Sequence, residues 1–250
     1  MIEALQTIHS LRSIRRFTDK EITKEDLEKI LEATLRTGNS GNRQVFSIIV
    51  VDDPKILKEY FYNANKALLF CADYNRWFDC ANRLGYSPVV GDIRGFIMGT
   101  IDATLASQTA TLAAKAIGID SLITTSTFRK ELKHIYNLLE LPDKYCFPVI
   151  GLCLGYPKEE PEHLKGRIRK GVIHYGKYQR LTDEEVDEVI NEYDDPSNHF
   201  TTKTKEEFEK DGLKGFLDSY FKDWDGSFKE DQIKDCYETL QKTGFLDFQK

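Results

Sequence analysis

Residues 92–117 read DIRGFIMGTIDATLASQTATLAAKAI and contain no proline. Apolar side chains recur through the first half of this stretch, and small alanine and threonine side chains dominate the second half. The pattern predicts one long helix that is apolar on most faces and therefore buried on most faces. Gly95 and Gly99 are spaced for close packing against another element, and Gly118 is predicted to end the helix.

Four short apolar runs before and after this helix are predicted to be strands, the third of them as a strand or an extended turn. They are rich in β-branched or other apolar residues, as buried strands are. The runs are residues 46–51, 67–72, 121–125 and 147–154. Helices are predicted after Thr23, from Pro54 and over residues 128–139. Few strands interleaved with dominant helices predict an α+β protein with one central sheet.

The character of the chain changes after Thr182. Residues 183–195 hold eight acids and no Lys or Arg, which predicts the solvated face of a surface helix. Residues 204–242 show helical patterns and are too aromatic to be disordered. We therefore predict a main domain of residues 1–180 and a helical C-terminal extension of residues 181–250, which packs on the main domain or on a partner subunit.

Composition excludes several classes of protein. The 250 residues are 40% apolar and 30% charged, as in an ordinary globular protein, and the net charge of −6 argues against a generic nucleic-acid binder. The first residues do not form a leader, and no apolar run reaches membrane length. Five cysteines without C-x-x-C spacing favour reduced thiols, and the histidines lack metal-ligand spacing. We expect a cytoplasmic protein without a metal, a membrane or a nucleic-acid partner.

Two basic clusters are candidate phosphate ligands. Arg12, Ser13 and Arg15 lie close together, and guanidinium groups match phosphate oxygens in two places at once. Lys165, Arg167 and Arg169 form the second cluster, late in the chain. Each cluster alone is more simply a solvated surface segment, but together they favour one anion site. Neither G-x-G-x-x-G after the first strand nor G-x-x-x-x-G-K-S/T is present, so the two common nucleotide-binding motifs are absent.

The order of several motifs points to a family. Arg-Ser-Ile-Arg-x-Phe-x-Asp from Arg12 resembles the opening motif of the FMN-dependent nitroreductases, and the loop of residues 38–44 lies where that family has its Ser/Asn/Gln segment. Residues 70–76, 150–157 and 164–167 are similar to the branch that contains the NADPH-linked oxygen-insensitive nitroreductases and flavin reductases. The resemblance covers roughly residues 8–180.

The resemblance implies a fold and a function. The fold is a mostly antiparallel central sheet flanked by helices, in a homodimer whose two subunits both contribute to the site. The protein would bind FMN, take hydride from NAD(P)H to flavin N5 and reduce a small aromatic acceptor, namely a nitro compound, a quinone or a flavin, by a ping-pong mechanism. The alternatives are a free-flavin reductase, a non-catalytic flavin-binding sensor or storage protein, and a helical interaction module without flavin.

The resemblance also implies roles for individual residues. Arg12, Ser13 and Arg15 would follow the FMN phosphate and the pyrimidine edge of the flavin, with Arg15 as the electrostatic stabiliser of the reduced ring. Lys165 and Arg167 would complete the phosphate site. The remaining flavin contacts would come from Ser40, Gln44, Ile123, Thr124, Thr125 and Ser126.

The sequence departs from the family pattern at four places. Leu11 stands where a basic residue or His is usual, and Gly38-Asn39 replaces Pro-Ser or Ser-Ser. Residues 124–126 are hydroxylated where the family usually has glycines. The stretch of residues 60–67 is short, so the flavin contact expected there has no assigned residue.

Overall fold

The computed structural model describes residues 3–87, 92–159, 164–199, 201, 203–224 and 230–246. The chain divides into two compact units. The first, called the main unit, comprises residues 1–160 together with residues 230–250, and the second, called the small unit, comprises residues 161–229.

A four-stranded sheet forms the centre of the main unit. Its strands are β1 (Phe46–Val51), β2 (Lys66–Asp73), β3 (Asp120–Thr124) and β4 (Cys146–Gly155). The strand order is β1-β2-β4-β3, and all neighbouring strands are antiparallel. The predicted α+β fold with one antiparallel sheet is confirmed, and each predicted strand is present.

Helices cover this sheet and build the small unit. Those of the main unit are α1 (Glu3–His9), α2 (Lys24–Thr34), α3 (Pro54–Tyr60), α4 (Asn75–Arg83), α5 (Ile93–Ala116), α6 (Leu132–Leu139) and, near the end of the chain, α10 (Glu230–Lys242). Those of the small unit are α7 (Asp183–Asp194), α8 (Lys205–Lys210) and α9 (Phe216–Trp224). None of the helices in the described part of the chain has the length and apolar character needed to cross a membrane.

The two faces of the sheet carry different cores. Leu68 and Phe70 of β2 pack in the cluster that contains the alanines of α5, whereas Leu69 and Cys71 pack in the cluster that contains residues of α3 and α6. This alternation is the period of two that a strand imposes on its side chains. The register between β2 and β4 shifts between the Phe70–Ile150 pair and the Cys71–Pro148 pair. Proline has no N–H to donate to the ladder, so a bulge fits this position.

Helix α5 crosses the sheet with its small residues inward. Asp92 caps it by accepting a hydrogen bond from the Gly95 N–H at 2.9 Å, and Gly118, which follows the helix, has φ +80°. A Cβ on Gly99 would lie only 2.8 Å from the Ala72 Cβ, so this glycine sets the distance between helix and sheet. The start and end predicted for the helix are confirmed.

One face of α5 is exposed, which corrects the prediction that the helix is buried on most faces. Ile93, Ile97, Ile101 and Leu105 recur every fourth residue and keep 43–52% of their surface accessible. A spacing of four residues places them on one side of the helix. Burial of an apolar helix therefore remains incomplete in the single chain.

The helix starts predicted near Thr23 and Pro54 are confirmed by their caps. Thr23 accepts from the Asp26 N–H, and Asp53 accepts from the Lys55 and Ile56 N–H groups. Each side chain satisfies amides that have no partner within the helix.

The helix predicted over residues 128–139 is present only from Leu132, so its predicted start is wrong. A 3₁₀ turn covers Ser126–Arg129, Lys130 is extended, and α6 begins only at Leu132. The Leu132 N–H donates to the Asp235 carboxylate of α10 at 2.7 Å, so a contact from far along the chain fixes the start of α6.

The C-terminal segment contributes to both units. Helix α10 and the residues after it join the main unit, where the Tyr145 N–H donates to the Thr243 carbonyl at 2.8 Å and Phe245 is fully buried. Helix α7 begins with a capping box between Thr182 and Glu185, as its acidic start suggests.

Candidate functional site

The segment of Arg12, Ser13 and Arg15 runs along the free edge of β3. Ser13 forms a parallel bridge with Ser121, and the Ile14 N–H donates to the Ser121 carbonyl at 3.0 Å. The Ile14 side chain is buried, whereas Ser13 and Arg15 are exposed. The alternation of an extended backbone therefore presents both predicted ligands on the outer side.

Arg12 lies at the start of the same strand. Its guanidinium group is 3.7 Å from the buried carboxylate of Asp120, which also pairs with Lys115 at 2.7 Å. Two cations thus meet one carboxylate, and the local charge stays positive in a chain whose net charge is −6. Such a site attracts an anion.

A cavity of about 400 Å³ adjoins Arg15. It is lined by Arg15, Arg16, Phe17, Tyr62, Asn63 and Lys158. Tyr62 and Asn63 form a left-handed turn with φ values of +56° and +53°. The sequence alone assigned no flavin contact between residues 60 and 67, and the structure places these two residues beside Arg15. Asn tolerates left-handed backbone well, and this tolerance is the one local signal of the turn.

The four residues at the end of β3 alternate in direction. Ile123 and Thr125 are exposed, whereas Thr124 and Ser126 are buried. Thr124 Oγ1 accepts from the Ser126 N–H at 3.1 Å, and the Ser126 hydroxyl donates to the Tyr60 carbonyl. The Ser126 hydroxyl therefore holds the strand end against the end of α3, and the outward side chains remain open to a ligand.

Ser40 and Gln44 share a loop whose backbone is held by neighbouring side chains. Arg43 donates to the Ser40 carbonyl at 3.1 Å and to the Ser40 hydroxyl oxygen at 2.5 Å. From α4, Arg76 donates to the Gln44 carbonyl at 2.6 Å, and Trp77 donates to the Arg43 carbonyl at 2.6 Å. The loop is therefore a defined element of the main unit, fixed from α4.

Lys165 and Arg167 belong to the small unit. Lys165 Nζ donates to the Pro196 carbonyl at 3.1 Å, and the Gly166 N–H donates to the Ser197 carbonyl at 2.9 Å. Arg167 folds back onto the carbonyls of residues 165 and 166. These hydrogen bonds hold the second basic cluster in a defined loop. The structure pairs the segment of Arg12, Ser13 and Arg15 with the start of β3 at Asp120 and Ser121. The second cluster has its own supporting hydrogen bonds.

The titratable phenol of Tyr60 lies beside the site and has a structural role. Burial, with a smaller contribution from Glu59, raises the pKa of the Tyr60 phenol to about 12, so this tyrosine stays neutral. In the described ranges, no group of three His, Cys, Asp or Glu side chains forms a metal site. The site therefore offers hydrogen-bond donors to an anion, beside the edge of β3.

Comparison with known proteins places this geometry in a family. Residues 8–156 match the model of the Nitroreductase family, and the chain belongs to that family. It is 29% identical to a Bacillus subtilis protein named FMN reductase (NAD(P)H), over 81% of this chain and 84% of the relative. It is 30% identical to the Oxygen-insensitive NADPH nitroreductase of Salmonella typhimurium, over 77% of this chain and 83% of the relative. The solved structure of Bacillus megaterium NfrA2 superposes over the whole of both chains with a TM-score of 0.82 and 26% identity.

Proposed function

We propose that this protein is an FMN-dependent oxidoreductase that takes electrons from NAD(P)H and reduces a small aromatic acceptor, such as a nitro compound, a quinone or a flavin. The relatives named FMN reductase and NADPH nitroreductase support this function. The structural observation that supports it is the strand-edge pairing of Ser13 with Ser121, which leaves Arg15 on the outer side of the segment, where it lines a cavity.

The residues present fit FMN in their chemistry. A phosphate requires donors, and Arg12, Ser13, Lys165 and Arg167 offer N–H and O–H groups, three of them charged. The Ser40 hydroxyl oxygen accepts from Arg43, so its proton is left to donate to a ligand oxygen. Gln44 supplies both a donor and an acceptor, which suits ribityl or flavin oxygens.

The main unit supplies positioning and charge for the reaction. When bound, FMN supplies the hydride chemistry between nicotinamide and acceptor. Arg15 stabilises negative charge at the pyrimidine edge, because a fixed cation in a cavity needs little reorganisation to do so. Ile123 and Thr125 would lie beside the flavin ring, while the hydrogen bonds of Thr124 and Ser126 hold the end of β3 in place. No protein nucleophile is required.

We also propose that the active protein is a homodimer. The exposed face of α5 formed by Ile93, Ile97, Ile101 and Leu105 is an apolar stripe of the kind that subunit interfaces cover. Leu5 and Ile8 of α1 are exposed as well, and they enlarge the apolar surface of the main unit. A symmetric interface built on α5 would bury these side chains in both copies.

The proposal also includes the cellular location and the domain division of the protein. We place the protein in the cytoplasm, which the five free cysteines support, since reduced thiols persist there. We also propose that residues 1–180 carry the FMN-binding region and that residues 181–250 are a helical extension, of which α10 packs in the main unit. Limited proteolysis tests this division.

A free-flavin reductase is the second candidate, favoured by the name of the Bacillus subtilis relative. Steady-state assays separate the two. Turnover that requires added FMN as the acceptor, with little reduction of nitroaromatics or quinones, would support the flavin reductase.

The visible spectrum of the purified protein tests the proposed function. We expect a yellow protein that bleaches when NADPH is added without oxygen. A yellow protein that NAD(P)H cannot bleach would indicate a non-catalytic flavin-binding protein. A colourless protein without affinity for added FMN would refute flavin binding and leave the helical interaction module.

A double variant tests the phosphate site. Arg12→Ala combined with Arg167→Ala should lose most bound FMN, since each charged contact contributes about 1.5–3 kcal/mol. Full flavin occupancy in this variant would show that the phosphate binds elsewhere.

A further inference from the structure

A buried carboxylate on α5 holds the loop that carries Ser40 and Gln44. Asp102 lies in the middle of the helix and is 1% exposed. Its Oδ1 accepts a hydrogen bond from the Ser40 N–H at 3.0 Å, and its Oδ2 accepts from the Val45 N–H at 3.3 Å. One side chain therefore anchors both ends of residues 40–45, the segment that contains two predicted flavin ligands.

The segment between these anchors has an unfavourable backbone. Gly41, Asn42 and Gln44 all lie in the left-handed region, with φ values of +60°, +55° and +50°. Glycine adopts this region easily, but Asn and especially Gln do not. A loop of this shape persists only where surrounding groups determine it. The Asp102 contacts provide such a constraint from α5, and those of Arg76 and Trp77 provide it from α4.

Backbone N–H groups stabilise the negative charge of the buried Asp102 carboxylate. In the described part of the chain, no Lys or Arg forms an ion pair with it, and its two oxygens instead receive backbone N–H groups. A buried carboxylate is costly unless hydrogen bonds satisfy it. Asn, its closest neutral analogue, accepts at only one atom and would turn an NH₂ group toward the other N–H. Only a carboxylate of this length serves both amides.

We propose that Asp102 is a positioning residue for FMN, which acts by fixing the loop that presents the Ser40 hydroxyl and the Gln44 side chain. This inference rests on the proposed function, because the loop must contact FMN for its shape to affect binding. Asp102 itself does not contact the cofactor. Its influence passes through the Ser40 and Val45 amides.

The test compares Asp102→Asn with Ser107→Ala. Ser107 is a matched control because it lies on the same helix, is equally buried, and donates to the Thr104 carbonyl within that helix. FMN is titrated into each apoprotein, and the dissociation constant and the visible circular dichroism of bound flavin are measured, together with thermal unfolding of the apoprotein. We expect Asp102→Asn to weaken FMN binding by about tenfold or more and to change the flavin dichroism. Ser107→Ala should bind within about twofold of wild type.

The outcomes separate this inference from the function on which it rests. A folded Asp102→Asn protein with wild-type FMN affinity and dichroism would overturn the positioning role, even if its melting temperature falls. Wild-type protein without FMN affinity would refute the proposed function and this inference together. If Asp102→Asn does not fold, amide hydrogen exchange on wild type decides. Protection of the Ser40 and Val45 amides that rises on FMN addition supports the role, and unchanged fast exchange contradicts it.

Discussion

The Ile14 N–H donates to the Ser121 carbonyl at 3.0 Å, and this bond fixes the direction of the neighbouring Arg15 side chain. Because Ile14 is buried, Arg15 faces outward, where it lines the cavity with Tyr62 and Asn63. We expect Arg15→Ala to weaken FMN binding by about 10- to 100-fold, since a charged hydrogen bond contributes about 1.5–3 kcal/mol. Fluorescence titration of the apoprotein measures this change.

A control for Arg15 lies on the same unit. Arg94 is exposed and pairs with Asp92 at 2.8 Å, so Arg94→Ala should leave the FMN dissociation constant nearly unchanged. Equal affinity losses in the two variants would mean that general positive charge, and not the place of Arg15, attracts the cofactor.

The buried hydroxyl of Ser126 stabilises the end of β3. It donates to the Tyr60 carbonyl, which Ser126→Ala would leave without this partner. We expect a loss of about 1–3 kcal/mol in the free energy of unfolding, measured by urea denaturation of the apoprotein. The exposed neighbour provides the comparison, because Thr125→Ala should change the unfolding free energy by no more than about 0.5 kcal/mol. Equal stability of the two variants would contradict the role of the Ser126 bond.

Gly99 sets the approach of α5 to the sheet. The Cβ of Gly99→Ala would lie 2.8 Å from the Ala72 Cβ and 3.3 Å from the Val45 carbonyl oxygen. Because the helix must shift to relieve this contact, we expect a loss of about 1–3 kcal/mol in the free energy of unfolding. A Cβ on Gly38 would meet nothing within 4 Å, so Gly38→Ala should be nearly neutral. Thermal unfolding that ranks the two variants in the opposite order would show that the helix is not tightly packed here.

The apolar stripe on α5 predicts the oligomeric state. Glutamate at Ile97 and Ile101 would bring charge into the proposed interface, so the double variant should sediment as a monomer and lose FMN affinity. Leu84→Glu is the matched control, because Leu84 is 73% exposed at the end of α4. Analytical ultracentrifugation measures the oligomeric state of both variants. A dimer that survives in the Ile97→Glu, Ile101→Glu protein would place the interface elsewhere.

The buried thiol of Cys153 predicts a loss of stability at high pH. Burial raises its pKa from 9.0 to about 12, so between these values the unfolded chain releases a proton that the folded chain retains. The contribution of the protonated Cys153 thiol to the free energy of unfolding is complete below about pH 9. It is lost as the pH rises toward about 12, at about 1 kcal/mol per pH unit. Urea denaturation from about pH 8 to about pH 11 should show the stability gap between wild type and Cys153→Ala narrowing.

The exposed Cys80 offers the control for this pH dependence. Cys80→Ala should follow the wild-type stability at every pH, because Cys80 is exposed and its removal leaves no cavity in a core. A constant gap between wild type and Cys153→Ala would show that the thiol does not remain protonated in the folded state.

Local pattern was sufficient for the regular elements of this protein. The apolar run of residues 67–72 predicted β2, and the proline-free stretch after Asp92 predicted α5, because periodicity records which side chains face a core. The order of several short motifs, beginning with that from Arg12 to Asp19, predicted the family, which the match over residues 8–156 confirms. These features depend on residues that are neighbours along the chain.

Tertiary structure decided what depends on distant partners. The bond from Ser126 to Tyr60 spans 66 positions, and that from Ser40 to Asp102 spans 62, so no local pattern contains either of them. The same is true of the interruption before α6, which Asp235 fixes, and of the cavity where Tyr62 and Asn63 meet Arg15. Sequence periodicity indicates which face of an element is apolar, but the folded chain alone determines which buried polar groups meet and which apolar face of α5 stays uncovered.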